Sequence, residues 1–198
     1  MTHAARQADH DILPLFVERW SPRAFTDEAI DEATLHTLFE AARWAPSAFN
    51  AQPWRFLYAR RDTAAWDTFV DLLMPYNQGW ARHAAALVYL LSAPTFTPEG
   101  KTEPQAVSHG SFSAGTAWGY LALQAHAMGW VAHGMAGIEV EAIRRTLNVP
   151  DSYGVEIGIA IGRQGPVSNL SEKLQAREVR SLRRPVADFA FEGAFPGE

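Results

Sequence analysis

A stretch of small and apolar residues at 111–128 constrains the fold more than any other part of the sequence. Its apolar residues recur at the three- and four-residue spacing of one helix face: Ala114, Ala117, Trp118, Leu121, Ala125 and Met128. Gly129 follows and is typical of a helix end. Because several members are alanines, a second helix can approach closely. The pattern therefore predicts a long helix that lies either in the core or at one half of a dimer interface.

Patterns on both sides of this stretch predict further helices and strands. Helical spacing and flanking prolines or glycines indicate helices at 9–19, 27–44, 62–73 and 139–147. Apolar runs and alternating residues indicate strands at 54–60, 85–91, 130–136 and 155–162. Since helices and strands mix without regular βαβ alternation, we expect an α+β fold. The length of 198 residues favours a single domain over residues 1–198.

Three segments carry more specific expectations. Residues 93–108 are rich in Pro, Thr, Gly and charge, which predicts a long loop that could act as a lid or a substrate wall. The strand at 155–162 has a nearly bare second face, so another element or a ligand can approach it closely. Residues 165–198 contain proline-marked turns and a basic run. We interpret this last segment as an arm that wraps over the body or over a partner subunit.

Composition excludes several kinds of chemistry. The chain has no cysteine, which excludes disulfides, zinc–thiolate sites, iron–sulfur clusters and thiol nucleophiles. A formal net charge of −5 argues against general affinity for nucleic acid, and no apolar run approaches the length of a membrane span. The N-terminus has no apolar signal core, so we expect a cytoplasmic protein. The seven histidines show no metal-ligand spacing, and we expect no metal site.

Arginines alternate with a serine near the start of the chain. In an extended segment, Arg19, Ser21 and Arg23 project to the same side. Two guanidinium groups and a hydroxyl suit a phosphate monoester, whereas the alternative is a solvated surface loop. Arg183 or Arg184 could add a third positive contact from the C-terminal arm, or could form an exposed basic turn.

Polar side chains between two prolines form a second candidate site. Ser47, Asn50 and Gln52 offer donors and acceptors that can bind the ring edge or the ribityl hydroxyls of a flavin. The alternative is that they stabilise a helix exit as turn residues.

Glycines after a predicted strand form a third candidate. In the run His133, Gly134, Met135, Ala136 and Gly137, the glycines allow a backbone N–H to approach a ligand. A lone histidine at such a place is more often structural than catalytic. With the arginines, these features suggest a flat, phosphorylated heteroaromatic ligand, and flavin mononucleotide (FMN) is the leading candidate.

The order of these motifs resembles the nitroreductase family of FMN-dependent oxidoreductases. Arg-x-Ser-x-Arg-x-Phe at 19–25 is followed by a helix and by Ala-Pro-Ser-x-x-Asn-x-Gln-Pro-Trp-x-Phe at 45–56. Asn77 with Trp80, the long helix, the glycine turn and the late Arg-Arg-Pro then follow in family order. The resemblance covers nearly the whole chain. It implies a nitroreductase-like α+β fold, with a mixed or antiparallel central sheet flanked by helices and an arm wrapping the partner of a homodimer.

The resemblance also implies roles for individual residues. Phosphate and ribityl contacts fall to Arg19, Ser21, Arg23 and Arg183, and Asn77 hydrogen-bonds the pyrimidine edge. The turn at Ala136 and Gly137 directs a backbone N–H to flavin N5. The segment with Pro46, Ser47 and Asn50 lies against the flavin of the other subunit. Trp80 or Arg82 stands near the position where some members place a lysine. The resemblance therefore does not assign the residues of the substrate pocket.

The reaction implied by the resemblance is ping-pong. NAD(P)H gives a hydride to the flavin, and a small-molecule acceptor such as a nitroaromatic or a quinone then takes the electrons. Because the cofactor carries this chemistry, no catalytic side chain is expected. The alternative is a non-catalytic flavin-binding protein for storage or sensing.

Overall fold

A four-stranded antiparallel sheet lies at the centre of the structure, a computed structural model that describes residues 6–197. In spatial order its strands are β1 (Trp54–Arg60), β2 (Ala86–Ser92), β6 (Gly154–Gly162) and β5 (Val131–Met135). A separate hairpin consists of β3 (Thr95–Phe96) and β4 (Gln105–Ala106). The α-helices are α1 (Pro14–Glu18), α2 (Glu32–Arg43), α3 (Trp66–Asp71), α4 (Pro75–Ala81), α5 (Gly110–Ala127), α6 (Val140–Thr146) and α7 (Glu172–Gln175).

The sheet separates two hydrophobic cores, and β2 contributes to both. Every residue of β2 is buried. Its even-numbered residues from 86 to 90 face a core shared with α2 and α5. Its odd-numbered residues from 87 to 91 face a core shared with α3, α4 and α6. The result is a layered α+β architecture with helices on both faces of the sheet, as expected from the sequence.

The predicted elements are found, with shifts at their ends. The strand predicted at 54–60 has those bounds, and α5 lies within one residue of the predicted 111–128 at each end. The helix predicted at 9–19 is wrong over its first half, because the helix begins at Pro14, whose missing N–H suits a first turn. The loop predicted at 93–108 contains the short β3–β4 hairpin.

The start of α2 and the whole of α4 depend on features that the periodicity did not indicate. The helix predicted from residue 27 begins five residues later, because Asp31 caps it by accepting a hydrogen bond from the backbone N–H of Thr34 (2.6 Å). The short helix α4 was not predicted, since its sequence mixes Pro75, polar residues and Gly79.

The alanine-rich stripe of α5 lies in the core, which is the first of the two predicted alternatives. Ala114, Ala117 and Leu121 are fully buried against the sheet and α2, so the alanine-rich stripe belongs to the core. The opposite face carries Phe112 and Tyr120, which are 74% and 42% exposed. A large exposed aromatic pair on a long helix is typical of an interaction surface.

The bare face of β6 is covered closely, as expected. A Cβ at Gly158 would lie 3.0 Å from Ile138 Cγ2, and one at Gly162 would lie 2.6 Å from Phe25 Cδ1. Glycine is therefore needed at residue 162, because a side chain there would displace the Phe25 ring. Within residues 6–197, every helix is too short or too polar to cross a lipid bilayer.

Tyr89 provides a test of how the sheet is joined to α3. Its hydroxyl is buried and donates to the carbonyl of Phe69 at 2.8 Å. Replacement by Phe leaves that buried carbonyl unpaired, so Tyr89→Phe is expected to lower the free energy of unfolding by about 1–3 kcal/mol. The measurement is chemical denaturation, with Tyr153→Phe as the matched control because Tyr153 is half-buried and its hydroxyl makes no hydrogen bond within residues 6–197. Equal stabilities of the two variants would contradict the assignment.

Candidate functional site

A cavity of about 390 Å³ lies between α5 and the segment 19–23. Its walls come from three parts of the chain: Arg19 and Ser21, then Trp118, Gly119, Ala122 and Leu123 of α5, and Gly134 of β5. A Cβ at Gly134 would lie 3.1 Å from Trp118 Cζ2, so glycine allows the indole to pack directly against the strand. The cavity therefore brings together two of the predicted arginine-serine contacts and one of the predicted glycines.

The segment 19–23 runs extended along this cavity. Arg19 Nη1 donates to Ser21 Oγ at 3.3 Å, and both side chains face the cavity as the alternation predicts. The residues that alternate with these, Trp20 and Pro22, are buried. Arg23 departs from the expected common side, because its guanidinium is directed to Glu178, with Nη1 3.4 Å from Oε2.

Positive charge accumulates at one end of the cavity. Arg6 Nη1 donates to the carbonyls of Val17 and Arg19, both at 2.8 Å, which places Arg6 beside Arg19. Burial and then the charge of Arg183 lower the pKa of Arg19. Burial and then the charges of Arg183, Arg180 and Arg19 lower the pKa of Arg6.

No carboxylate compensates this charge within the part of the chain from 6 to 197. There, none of Arg6, Arg19, Arg180 and Arg183 forms a salt bridge. We call these four residues the arginine cluster. Because the charge of Arg183 lowers the pKa of both Arg6 and Arg19, the cluster favours a bound anion, and a phosphate group accepts hydrogen bonds from several guanidinium groups at once.

His133 joins β5 to the extended segment. Its Nδ1 lies 3.0 Å from the carbonyl oxygen of Pro22, so the N–H is on Nδ1 and donates to that oxygen. The imidazole also packs on Trp80, with 4.7 Å between ring centroids. Burial lowers the pKa of His133. The residue is therefore a neutral structural contact beneath the segment, in agreement with the structural reading of a lone histidine.

The turn after β5 is fixed from below by Asn77 of α4. Asn77 Nδ2 donates to the carbonyl of Gly137 at 2.9 Å, and its Oδ1 accepts from Trp80 Nε1 at 3.3 Å. A Cβ at Gly137 would lie 2.6 Å from Asn77 Nδ2, so glycine is required for this contact. Met135 is buried, whereas Ala136 is exposed at the tip of the turn. Asn77 is thus buried and holds the turn, with one N–H and one lone pair left.

The loop at 46–52 lies apart from this cavity in its own chain. Ser47 Oγ accepts from the N–H of Gln52 at 3.0 Å, and Gln52 Nε2 donates to the carbonyl of Asn50 at 3.2 Å. Thr116 Oγ1 of α5 lies 3.0 Å from the carbonyl oxygen of Pro46 and 2.7 Å from that of Ser113, so its one proton is shared between the two. Within one chain these residues act as turn residues, and none of them lines the cavity.

The same loop is shaped to project outward. The φ angles of Phe49, Asn50 and Gln52 are 53°, 53° and 45°. These angles lie in the left-handed region, which is unfavourable for residues other than glycine. The side chain of Phe49 in this loop is 85% exposed. Strain of this kind is typical of segments that serve a binding function.

Sequence reasoning missed several residues of the site. Arg6 is held by contacts to Val17, Arg19 and the carbonyl of Ser181, the last of them 175 positions away, and no local pattern indicates such contacts. Glu178 belongs to no sequence motif that indicates a binding role. Trp118 was assigned to the core stripe, although its ring also forms a cavity wall.

The other residues considered beside the ring are not part of the cavity. Trp80 is fully buried, and Arg82 is exposed with Nε donating to the carbonyl of Gln78 at 3.2 Å. Between residues 6 and 197, no group of three or more His, Cys, Asp or Glu side chains is placed to hold a metal ion.

The partly buried imidazole of His133 makes stability depend on pH. The unfolded chain takes up a proton near pH 6.5, whereas the folded state resists protonation because the pKa of His133 is lowered. The free energy of unfolding is therefore highest above about pH 6.5 and falls as the pH drops toward the lower folded pKa.

His133→Gln is expected to flatten this dependence. The check is the midpoint of thermal unfolding between about pH 7.5 and pH 5, in wild type and in the variant. Exposed His83→Gln is the control and should keep the wild-type slope. A His133→Gln profile parallel to that of wild type would show that this residue is not the source.

Comparison with solved structures finds close relatives of this fold. The crystal structure of an oxidoreductase containing FMN is 46% identical, covers 100% of both chains and superposes with a TM-score of 0.92. A protein of Desulfovibrio desulfuricans, solved in complex with FMN, is 25% identical, with a TM-score of 0.70 over 96% of this chain and 100% of that one.

Comparison with curated sequences gives more distant or shorter matches. An NADH dehydrogenase of Thermus thermophilus is 26% identical over 187 residues, which cover 82% of this chain and 91% of that protein. A Streptomyces coelicolor protein with the provisional name NADH dehydrogenase/NAD(P)H nitroreductase is 48% identical over 46 residues, 23% of each chain. The matched region thus spans less than a quarter of the first two curated relatives, from Streptomyces coelicolor and Rhodopseudomonas palustris.

The sequence profile of the nitroreductase family matches residues 17–74 and 64–163. These ranges cover well over half of the 198 residues and include the arginine-serine segment, the 46–52 loop, α5 and the glycine turn. The chain belongs to the nitroreductase family.

Proposed function

We propose that this chain binds FMN and acts as an FMN-dependent oxidoreductase, passing electrons from NAD(P)H to nitroaromatic, quinone or similar acceptors. The observation that carries the proposal is the cavity that joins Arg19 and Ser21 to Gly134, with the uncompensated arginine cluster at its end. The FMN in the relative at 46% identity supports the choice of cofactor. The names of the curated relatives support NADH or NADPH as donor.

The residues of the cavity fit FMN in a definite direction. The arginine cluster suits the phosphate, with Arg19, Arg183 and the hydroxyl of Ser21 as the main contacts. Gly134, which lines the cavity, and the turn at Ala136 and Gly137 would then lie on the side of the ring. Bound FMN would supply the redox chemistry, and the chain's own groups bind and orient it and exclude water. His133 and Met135 support this wall from below.

The binding site is proposed to be complete only in a homodimer. The exposed face of α5, with Phe112 and Tyr120, is the proposed contact between subunits. Pro46 is tied to that helix through Thr116, so the 46–52 loop projects from the same surface. Ser47, Asn50 and Gln52 would then reach the flavin of the partner subunit, and the arm at 165–198 would extend over the partner.

An absorbance spectrum of the purified protein tests the proposal. Flavin bands that are bleached by NADPH or NADH and restored by a nitroaromatic or a quinone are the expected result. A colourless protein that takes up no added FMN would contradict the proposal. Reduction without reoxidation by any acceptor would favour flavin storage or sensing instead.

Variants of Arg183 and Arg184 test whether this part of the arm contacts the phosphate or forms an exposed basic turn. The charge of Arg183 acts on Arg19 and Arg6, which places Arg183 within the arginine cluster. Loss of one charge-assisted phosphate contact is worth about 1.5–3 kcal/mol, so Arg183→Gln is expected to weaken FMN binding roughly tenfold to a hundredfold. The measurement is titration of the apoprotein, followed by flavin fluorescence.

Two comparisons make the phosphate test specific. Riboflavin lacks the phosphate, so its affinity should be the same for Arg183→Gln and wild type. Arg184→Gln is the matched control and should bind FMN like wild type. An equal loss of FMN and riboflavin in Arg183→Gln would rule out a phosphate contact by Arg183.

A further inference from the structure

Glu178 is a buried carboxylate at the root of the C-terminal arm, shortly after α7. Its side chain is only 1% exposed. Oε1 accepts hydrogen bonds from the backbone N–H groups of Arg23 (2.5 Å) and Ala24 (2.9 Å). Oε2 lies 3.4 Å from Arg23 Nη1. One carboxylate therefore holds both the backbone and the guanidinium of the same arginine.

The guanidinium of Arg23 is held on one side only. Nη1 is shared between Glu178 and the carbonyl of Arg177, at 3.4 and 3.5 Å. Nε is buried and makes no hydrogen bond within residues 6–197. Since a guanidinium has five N–H donors in a fixed plane, the Glu178 contact sets the direction of those that remain.

Arg23 stands at the opposite end of the extended segment from the arginine cluster. Its Cζ lies 6.0 Å from the centroid of the Trp80 ring, and its charge acts on His133, the residue next to Gly134. Arg19, four residues earlier, lies with Arg183 at the other end. A ligand with its phosphate on the arginine cluster would thus extend along the segment toward Arg23.

We propose that Glu178 is a positioning residue, which fixes Arg23 for contact with the part of FMN beyond its phosphate. This inference rests on the proposed function. A buried carboxylate is stable only when its hydrogen bonds are satisfied, and here Arg23 and Ala24 supply all that the described contacts show. Docking of the arm through Glu178 and orientation of Arg23 are therefore a single event.

A double-mutant cycle tests whether Glu178 acts through Arg23. The four proteins are wild type, Glu178→Gln, Arg23→Met and the double variant, each titrated with FMN as apoprotein. Gln keeps an acceptor for the backbone N–H groups but loses the charge that holds the guanidinium. We expect about tenfold weaker FMN binding in Glu178→Gln than in wild type. In the Arg23→Met background, adding Glu178→Gln should cause no further loss, so the double variant should bind FMN like Arg23→Met alone.

Several outcomes would overturn the inference. They are FMN affinity within about twofold of wild type in Glu178→Gln, or losses that add in the double variant. Wild type that binds no FMN would instead refute the proposed function itself. Circular dichroism of each apoprotein confirms folding, and if Glu178→Gln does not fold, the cycle is run with Glu178→Asp, which keeps the charge but withdraws it from Arg23.

Glu156 provides the matched control for loss of a carboxylate. Its Oε1 accepts hydrogen bonds from Ser92 Oγ (2.5 Å) and Ser111 Oγ (2.8 Å), with no contact to the segment 19–24. Glu156→Gln is expected to bind FMN like wild type. A loss equal to that of Glu178→Gln would mean that removing any such carboxylate has this effect, and would overturn the inference.

Discussion

The candidate site depends on the docking of residues 24–26 against the chain that leaves β6. Thr26 donates its N–H to the carbonyl of Arg163 at 3.0 Å, and Gly165 donates its N–H to the carbonyl of Ala24 at 2.9 Å. A Cβ at Gly165 would lie 2.4 Å from the Phe25 carbonyl oxygen, so a backbone this close requires glycine. This pairing fixes the direction of everything that precedes it, including the arginines at 19 and 23.

Alternation along that segment then assigns its side chains to two environments. Trp20, Pro22 and Ala24 are buried and anchor it, whereas Arg19 and Ser21 face the cavity. His133 adds a hydrogen bond to the carbonyl of Pro22 from the neighbouring strand. An extended segment held at every second residue is rigid, and rigidity lowers the entropy that a bound ligand must overcome.

Local patterns were enough to predict the scaffold and part of the site. The strand at 54–60 and the helix at 111–128 follow from periodicity and a terminal glycine, and the shared side of Arg19 and Ser21 follows from alternation. The departure of Arg23 does not, because its partner Glu178 lies 155 positions away and becomes a neighbour only when the arm folds back. The helix α4 was missed for a related reason, since its burial against Gly137 replaces the helical propensity that its own sequence lacks.

In the proposed binding mode, the arginine cluster would link FMN binding to the docking of Arg6 and of the C-terminal arm. Arg6 belongs to the N-terminal segment, and Arg180 and Arg183 belong to the arm, so three of its four charges lie on peripheral segments. Within residues 6–197, two hydrogen bonds that join these segments run from Arg6 Nε to the carbonyl of Ser181 (2.9 Å) and from the N–H of Val186 to Asp9 Oδ2 (2.8 Å). Repulsion among the guanidinium groups opposes these contacts, and a phosphate that neutralises the cluster removes the opposition. Because a ligand that binds only the docked arrangement stabilises it, FMN bound as proposed would reinforce the docking of Arg6 and of the arm through the same four charges.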